Sequence, residues 1–180
     1  MHLIFRTLLT FLRRRPPLGI TDVGSVDLHV LPTDLDFAGH MNNGVYLSIM
    51  DLGRIDLFVR AGVWWKILRA GISPVMANET ITFRKSLKLW TRFSIESRVI
   101  GVDAKALYME HRAVVRGEIY AAATMRVRFV KKTGGTATMD EVAAATGIDL
   151  VALPPAPWID RWSADVALPP ARGAAPSEWA

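Results

Sequence analysis

The sequence predicts an α+β fold in which an antiparallel β-sheet wraps one long central helix. One observation is the stretch from about Gly44 to Ala61, which keeps helical spacing and is apolar around most of its circumference. Another is the run of stretches after residue 79, where apolar and polar residues alternate with the period of half-buried strands. The third is the pair of short turns at Gly101 to Lys105 and at Arg116-Gly117, spaced to join those strands as hairpins. Hairpins build antiparallel sheet, and a helix this apolar must pack on one of its faces.

The elements follow in chain order. Leu3 to Leu12 reads as a short amphipathic helix, apolar on Leu8, Leu9, Phe11 and Leu12 and stopped by Pro16-Pro17. It is shorter than the about 20 apolar residues of a membrane span, and Arg6 interrupts it. Arg13-Arg14-Arg15 follow the apolar run instead of preceding it, which is not the order of a secretory signal. Two readings remain: a helix lying on an anionic membrane surface, or a terminal helix packed on the domain. Ser25 to Leu31 alternates Val26, Leu28 and Val30 against Asp27 and His29, which marks a first strand.

A polar turn, Thr33 to Asn43, separates that strand from the central helix, with Asn42 or Asn43 as the N-cap. Val63 to Arg69 reads as a second short helix closed by Gly71. Strands are expected at Glu79 to Leu87, Arg92 to Val102, Ala106 to Val115 and Glu118 to Val130. Asp140 to Ala145 reads as a short helix, and from Leu153 the chain reads as a Pro- and Ala-rich arm with Trp158, Trp162 and Trp179 as anchors. The expected organisation is a helix and linker over residues 1–23, a domain over 24–132, and a C-terminal helix and arm over 133–180.

Composition narrows the function. The hydrophobic fraction of 51% supports a sizeable core, and the absence of cysteine removes disulfides, zinc–thiolate sites and cysteine nucleophiles. A reducing cytoplasm suits such a chain. The net charge is +5, and the first 21 residues carry Arg6, Arg13, Arg14 and Arg15 without an acid. The rest is nearly balanced, so no nucleic-acid partner is expected.

The turn and the helix start read Asp34-Leu35-Asp36-Phe37-Ala38-Gly39-His40-Met41-Asn42-Asn43-Gly44-Val45-Tyr46. With the strand, helix and strand order, this stretch resembles the hotdog-fold thioesterases, nearest to the branch of 4-hydroxybenzoyl-CoA thioesterase. The resemblance covers roughly residues 24–132, an ordinary domain length. It implies a hotdog fold and an acyl-CoA thioesterase with Asp36 acting on the thioester. His40 to Tyr46 is also similar to the plant acyl-ACP thioesterases, whose catalytic Asp and His match Asp36 and His40. Those enzymes place a catalytic Asn where this chain has Ala38, which favours a mechanism centred on Asp36. The family also implies at least a homodimer, or a tetramer, with the site drawing on both subunits.

The chemistry stands beside the resemblance. Thioester hydrolysis needs a base or nucleophile and a holder for the developing oxyanion. A carboxylate in the turn, Asp36, supplies the first, and first-turn amides at the positive end of the helix dipole supply the second. Gly44 lets a carbonyl approach the backbone. Asn42, Asn43, Gly44, Val45 and Tyr46 are therefore the expected substrate contacts, and Asp36 with His40 the catalytic pair. Each has a plainer reading: Asp34 and Asp36 as turn formers, Asn42 and Asn43 as caps, Tyr46 as core. Glu79 is an outside candidate, usually solvated at a strand end.

The substrate is expected to be an acyl-CoA or acyl-ACP thioester. No separate cofactor and no metal are expected, coenzyme A being part of the substrate. Arg84, Lys85 and Lys88, or Arg126, Arg128 and Lys131, are candidates for its phosphates. Met50, Phe58, Trp64 and Trp65 are candidates for an acyl tunnel, or ordinary core. Two competing readings are a hotdog enoyl-CoA hydratase and a non-catalytic acyl-lipid-binding protein at a membrane surface. The short Asp36–His40 spacing and Ala38 count against the hydratase. The expected location is cytoplasmic, with membrane association through the N-terminal helix as the variant.

Overall fold

The computed structural model describes residues 2–12, 15–150, 153–169 and 173–177. Arg13, Arg14 and the expected anchor Trp179 lie outside them. The elements are α1 (His2–Leu12), β1 (Gly24–His29), α2 (Asn43–Arg60), α3 (Trp64–Arg69), β2 (Ile72–Phe83), β3 (Arg92–Val102), β4 (Ala106–Val115), β5 (Glu118–Lys131), β6 (Thr136–Ala137), α4 (Met139–Thr146) and α5 (Pro157–Asp165). A single 3-10 turn, Pro32–Asp34, opens the polar turn.

Among the described residues the sheet runs β1-β3-β4-β5-β2, antiparallel throughout, with β6 added beside β5. Its inner face wraps α2. One half of the core joins Ile49 and Met50 to Ile95, Ala113, Ala123 and Met125. The other joins Leu57 and Phe58 to Val99, Leu107, Met109, Val127 and Phe129. Each fully buried side chain of this kind contributes about 1.5–3 kcal/mol. The α+β arrangement of sheet and central helix is the one expected.

Two local choices set how closely α2 lies on the sheet. Gly53 faces β3, where an added Cβ would run into Ser97 Oγ and would stand 2.7 Å from Ile95 Cγ2. The small alanines of β5, Ala121 and Ala123, give room to Tyr46, Ile49 and Met50 in the same cluster.

The extent of β2 differs from the expected Glu79 to Leu87. The strand starts at Ile72 and ends at Phe83. Pro74 made the first half look unlike a strand, because it cannot donate to a ladder. β2 is an edge strand, paired only with β5 among the described residues, so the missing donor is tolerated there. A register shift between Met76 and Asn78 further breaks the alternation.

The core continues past residue 132: Ala137, Met139, Val142 and Leu150 are buried with α2 and β5. A capping box between Thr138 and Glu141 starts α4, and Gly147 at φ 67° ends it. On the outer sheet face, α5 buries Ile159 against Ala106 and Tyr108, and Trp162 Nε1 donates to Thr80 Oγ1 at 2.8 Å. At the other terminus, α1 is held by Arg6, which donates to Asp34 Oδ2 at 2.9 Å and to the His29 carbonyl at 3.0 Å.

Candidate active site

The turn before α2 is a small hairpin of its own. Leu35 bridges Met41, the Asp36 amide donates to the His40 carbonyl at 2.8 Å, and Gly39 at φ 74° makes the reversal. It is pinned to the segment after β2. His40 bridges Lys88, and the Met41 amide donates to the Leu87 carbonyl at 2.8 Å. The fold thus brings residues 83–86 against the start of the central helix.

Between them lies a cavity of about 300 Å³, lined by Asp36, His40, Met41, Asn43, Tyr46, Phe83, Arg84, Lys85 and Ser86. Of the expected site residues, Asp36, His40, Asn43 and Tyr46 line it together; Asn42, Gly44 and Val45 do not. Asn42 is the N-cap, accepting from the Gly44 amide at 2.9 Å, and the Val45 amide donates back to the Asn42 carbonyl. Two of the first-turn amides are therefore occupied. The Asn43 amide has no acceptor among the described residues, so it is the donor available to an oxyanion.

The two aspartates of the turn separate cleanly. Asp34 is fully buried and accepts from Arg6 and from the Leu31 amide at 2.8 Å. Its role is to tie α1, β1 and the turn together. Asp36 is half-buried at the cavity wall. Its Oδ1 accepts from the Ala38 amide at 2.9 Å, an Asx turn that fixes the carboxylate, and more weakly from His40 N at 3.4 Å. Its Oδ2 has no hydrogen-bond partner among the described residues, and neither does the His40 ring.

Tyr46 is buried beneath the cavity. Its hydroxyl accepts from the Leu87 amide at 3.2 Å, and its ring meets Phe83 edge-on at 5.1 Å. Burial pushes its pKa up, so it stays a neutral phenol. At the mouth, Arg84 and Lys85 share one carboxylate, Glu118, at 2.7 and 2.8 Å. Hydrogen bonds from Lys85 and Arg84 hold that carboxyl below its usual range. Two cations on one acid leave the mouth net positive.

Other expected contributors lie elsewhere. Met50 and Phe58 are core. Trp64 and Trp65 meet Phe11 of α1 at tilted ring angles of 49° and 45°. Arg126 pairs with Asp103 and Lys131 with Glu141, away from the cavity. Arg128 donates to Thr136 Oγ1. Glu79 has its pKa raised by partial burial and by Asp51, but it does not line the cavity. Met41, Phe83 and Ser86 line it without having been singled out in the sequence, because their place depends on the pairing of residues 84–88 with the turn.

Residues 30–162 match the family model of the thioesterase-like superfamily. The chain belongs to that superfamily. Protein THEM6 of Xenopus laevis is 42% identical over 99 residues, 55% of this chain and 48% of that protein. The acyl-acyl carrier protein thioesterase ATL3 of Arabidopsis thaliana is 26% identical over 104 residues, 57% of this chain and 55% of that protein. The chain therefore spans about half the length of the curated relatives it matches. Among solved structures, YbaW of Escherichia coli superimposes with a TM-score of 0.61 at 20% identity, covering 68% of this chain and 95% of that one. A DHNA-CoA thioesterase of Staphylococcus aureus gives 0.60 at 13% identity, covering 66% and 81%. At these identities the likeness speaks for the fold, and the fold of this thioesterase-like chain is the hotdog.

Proposed function

We propose that the chain hydrolyses acyl-CoA thioesters to the free acid and coenzyme A, with Asp36 acting directly on the reaction. The observation that carries this reading is the cavity itself: the Asp36 carboxylate and the Asn43 amide, each with an atom unpartnered among the described residues, face it together with the cations of its mouth. Asp36 takes a proton from water as the water attacks the carbonyl carbon, or its oxygen attacks to form an anhydride that water then opens. In either route the Asn43 amide and the helix dipole hold the oxyanion, and the C–S bond breaks to release the thiol. His40 orients Asp36 or binds the substrate beside it. Arg84 and Lys85 meet the phosphates that a coenzyme A or acyl-carrier arm brings.

The working unit is a homodimer in this reading. What supports it is β2, whose 12 residues lie at the sheet edge with one side unpaired by any described strand. A long open edge is a template for pairing with a second copy. The test is a panel of acyl-CoA substrates with a thiol reagent, together with crotonyl-CoA. Thiol release from saturated acyl-CoA is the expected result. Hydration of crotonyl-CoA without thiol release would replace hydrolysis by the hydratase chemistry. Acyl-CoA binding without either reaction across all chain lengths would make the chain a carrier.

A further inference from the structure

We propose that the outer face of α1, joined to the exposed side of α3, docks the protein on an anionic phospholipid bilayer. Phe5, Leu8, Leu9 and Leu12 are 62%, 52%, 51% and 67% exposed. They fall at i, i+3, i+4 and i+7, so they form one stripe along the helix. The opposite face already explains how α1 is held: Arg6 reaches the buried Asp34, and Thr10 is buried. The apolar stripe is thus left over after the helix has packed. Phe11 carries the surface across to α3, with its ring 5.6 Å from that of Trp65. Trp65 is 52% and Leu68 38% exposed. An apolar surface continuous over two elements marks an interaction site.

Charge selects the occupant. No acid precedes Asp22, and Arg13-Arg14 follow α1 directly in the sequence. Arg69 of α3 is exposed beside Trp65 and Leu68, while the Lys66 ammonium donates to the Thr146 carbonyl at 2.6 Å. The acids beneath, Asp34 and Asp56, are buried and neutralised by Arg6 and by Arg15 with Arg60. The patch is apolar with a cationic rim and no exposed acid of its own. A second copy of the chain would bring like charges together. A bilayer offers acyl chains to the stripe and anionic headgroups to the rim, with Trp65 at the depth where amphipathic rings settle. No described helix is long and apolar enough to cross a membrane.

The test is vesicle flotation of the full chain. One set of vesicles is phosphatidylcholine alone; the other is phosphatidylcholine and phosphatidylglycerol in equal parts. Wild type is expected on the mixed vesicles and about tenfold less on the neutral ones, the difference shrinking as salt rises. Leu8→Asp with Leu12→Asp is expected to lower binding about a hundredfold, and Leu9→Asp alone about tenfold. Thiol release from a short-chain acyl-CoA in solution stays unchanged in these variants, which separates this proposal from the catalytic one. Equal binding to both vesicle types, no binding, or retained binding by the leucine variants overturns it. So does a change from dimer to monomer in the leucine variants, which would assign the stripe to a second copy.

Discussion

Two groups of polar side chains meet the central helix, and they differ in access. At its N-terminal end, Asp36, His40 and Asn43 border a cavity with Arg84 and Lys85 at the mouth. Midway along it, Arg54, Ser97 and His111 are sealed between helix and sheet, with Ser97 Oγ 2.7 Å from His111 Nδ1. In the sealed group burial first, then the Arg54 charge, push His111 down to about 3. The group also holds orphan polar atoms, His111 Nε2 and Arg54 Nε and Nη1, without a partner among the described residues. Yet Arg54, Ser97 and His111 do not line the cavity at the helix N-terminus. The proposed site is therefore marked by its open wall and not by the strongest pKa shift.

This contrast can be broken or sharpened by substitution. The largest effect is expected at the open end. Asp36→Ala should lower kcat/KM by about 10³-fold with the thermal midpoint held within a few degrees. Next comes the buried partner two residues away. Arg6→Ala removes a 2.9 Å ion pair from the buried Asp34 carboxylate, and chemical denaturation should show a loss of about 3 kcal/mol. Gly53→Ala follows. Its Cβ would press on Ser97 and Ile95, so unfolding should show a loss of about 2 kcal/mol with turnover at 25 °C little changed.

The pH dependence belongs to the sealed group. His111 has a folded pKa of about 3, below the ordinary 6.5. The unfolded chain takes up the proton first, so this contribution is complete above pH 6.5 and is lost as pH falls towards 3, by about 1.4 kcal/mol per unit. Stability measured across that range should fall less steeply in His111→Gln than in wild type. The smallest effect is expected for Tyr46→Phe. It removes the acceptor for the Leu87 amide, a loss of about 1 kcal/mol in urea unfolding.

How much of this was legible in the sequence depended on distance along the chain. The central helix and the hairpins from Arg92 onward carry local periodicity and turn signals, and they appear within a residue or two of their expected bounds. Asp36, His40, Asn43 and Tyr46 come from one contiguous turn and helix start, so one stretch of sequence brought them together. The far wall did not show. Phe83 and Ser86 reach the cavity only through the bridge of His40 to Lys88, a pairing no local pattern encodes. Arg84 and Lys85 stand in the sequence as one of two sets of basic candidates, and that bridge sets them at the mouth. The onset of β2 was hidden by Pro74, which an edge strand accepts and a central one would not. The Ser97–His111 contact depends on the register of β3 against β4.

The most direct test of the central claim separates binding from turnover in one variant. Asp36→Asn keeps the side chain's shape and its acceptor for the Ala38 amide, and removes the charge. It should bind an acyl-CoA with Kd within about threefold of wild type while releasing thiol about 10³-fold more slowly in a single turnover. Single-turnover release at the wild-type rate from the loaded Asp36→Asn protein would contradict the account.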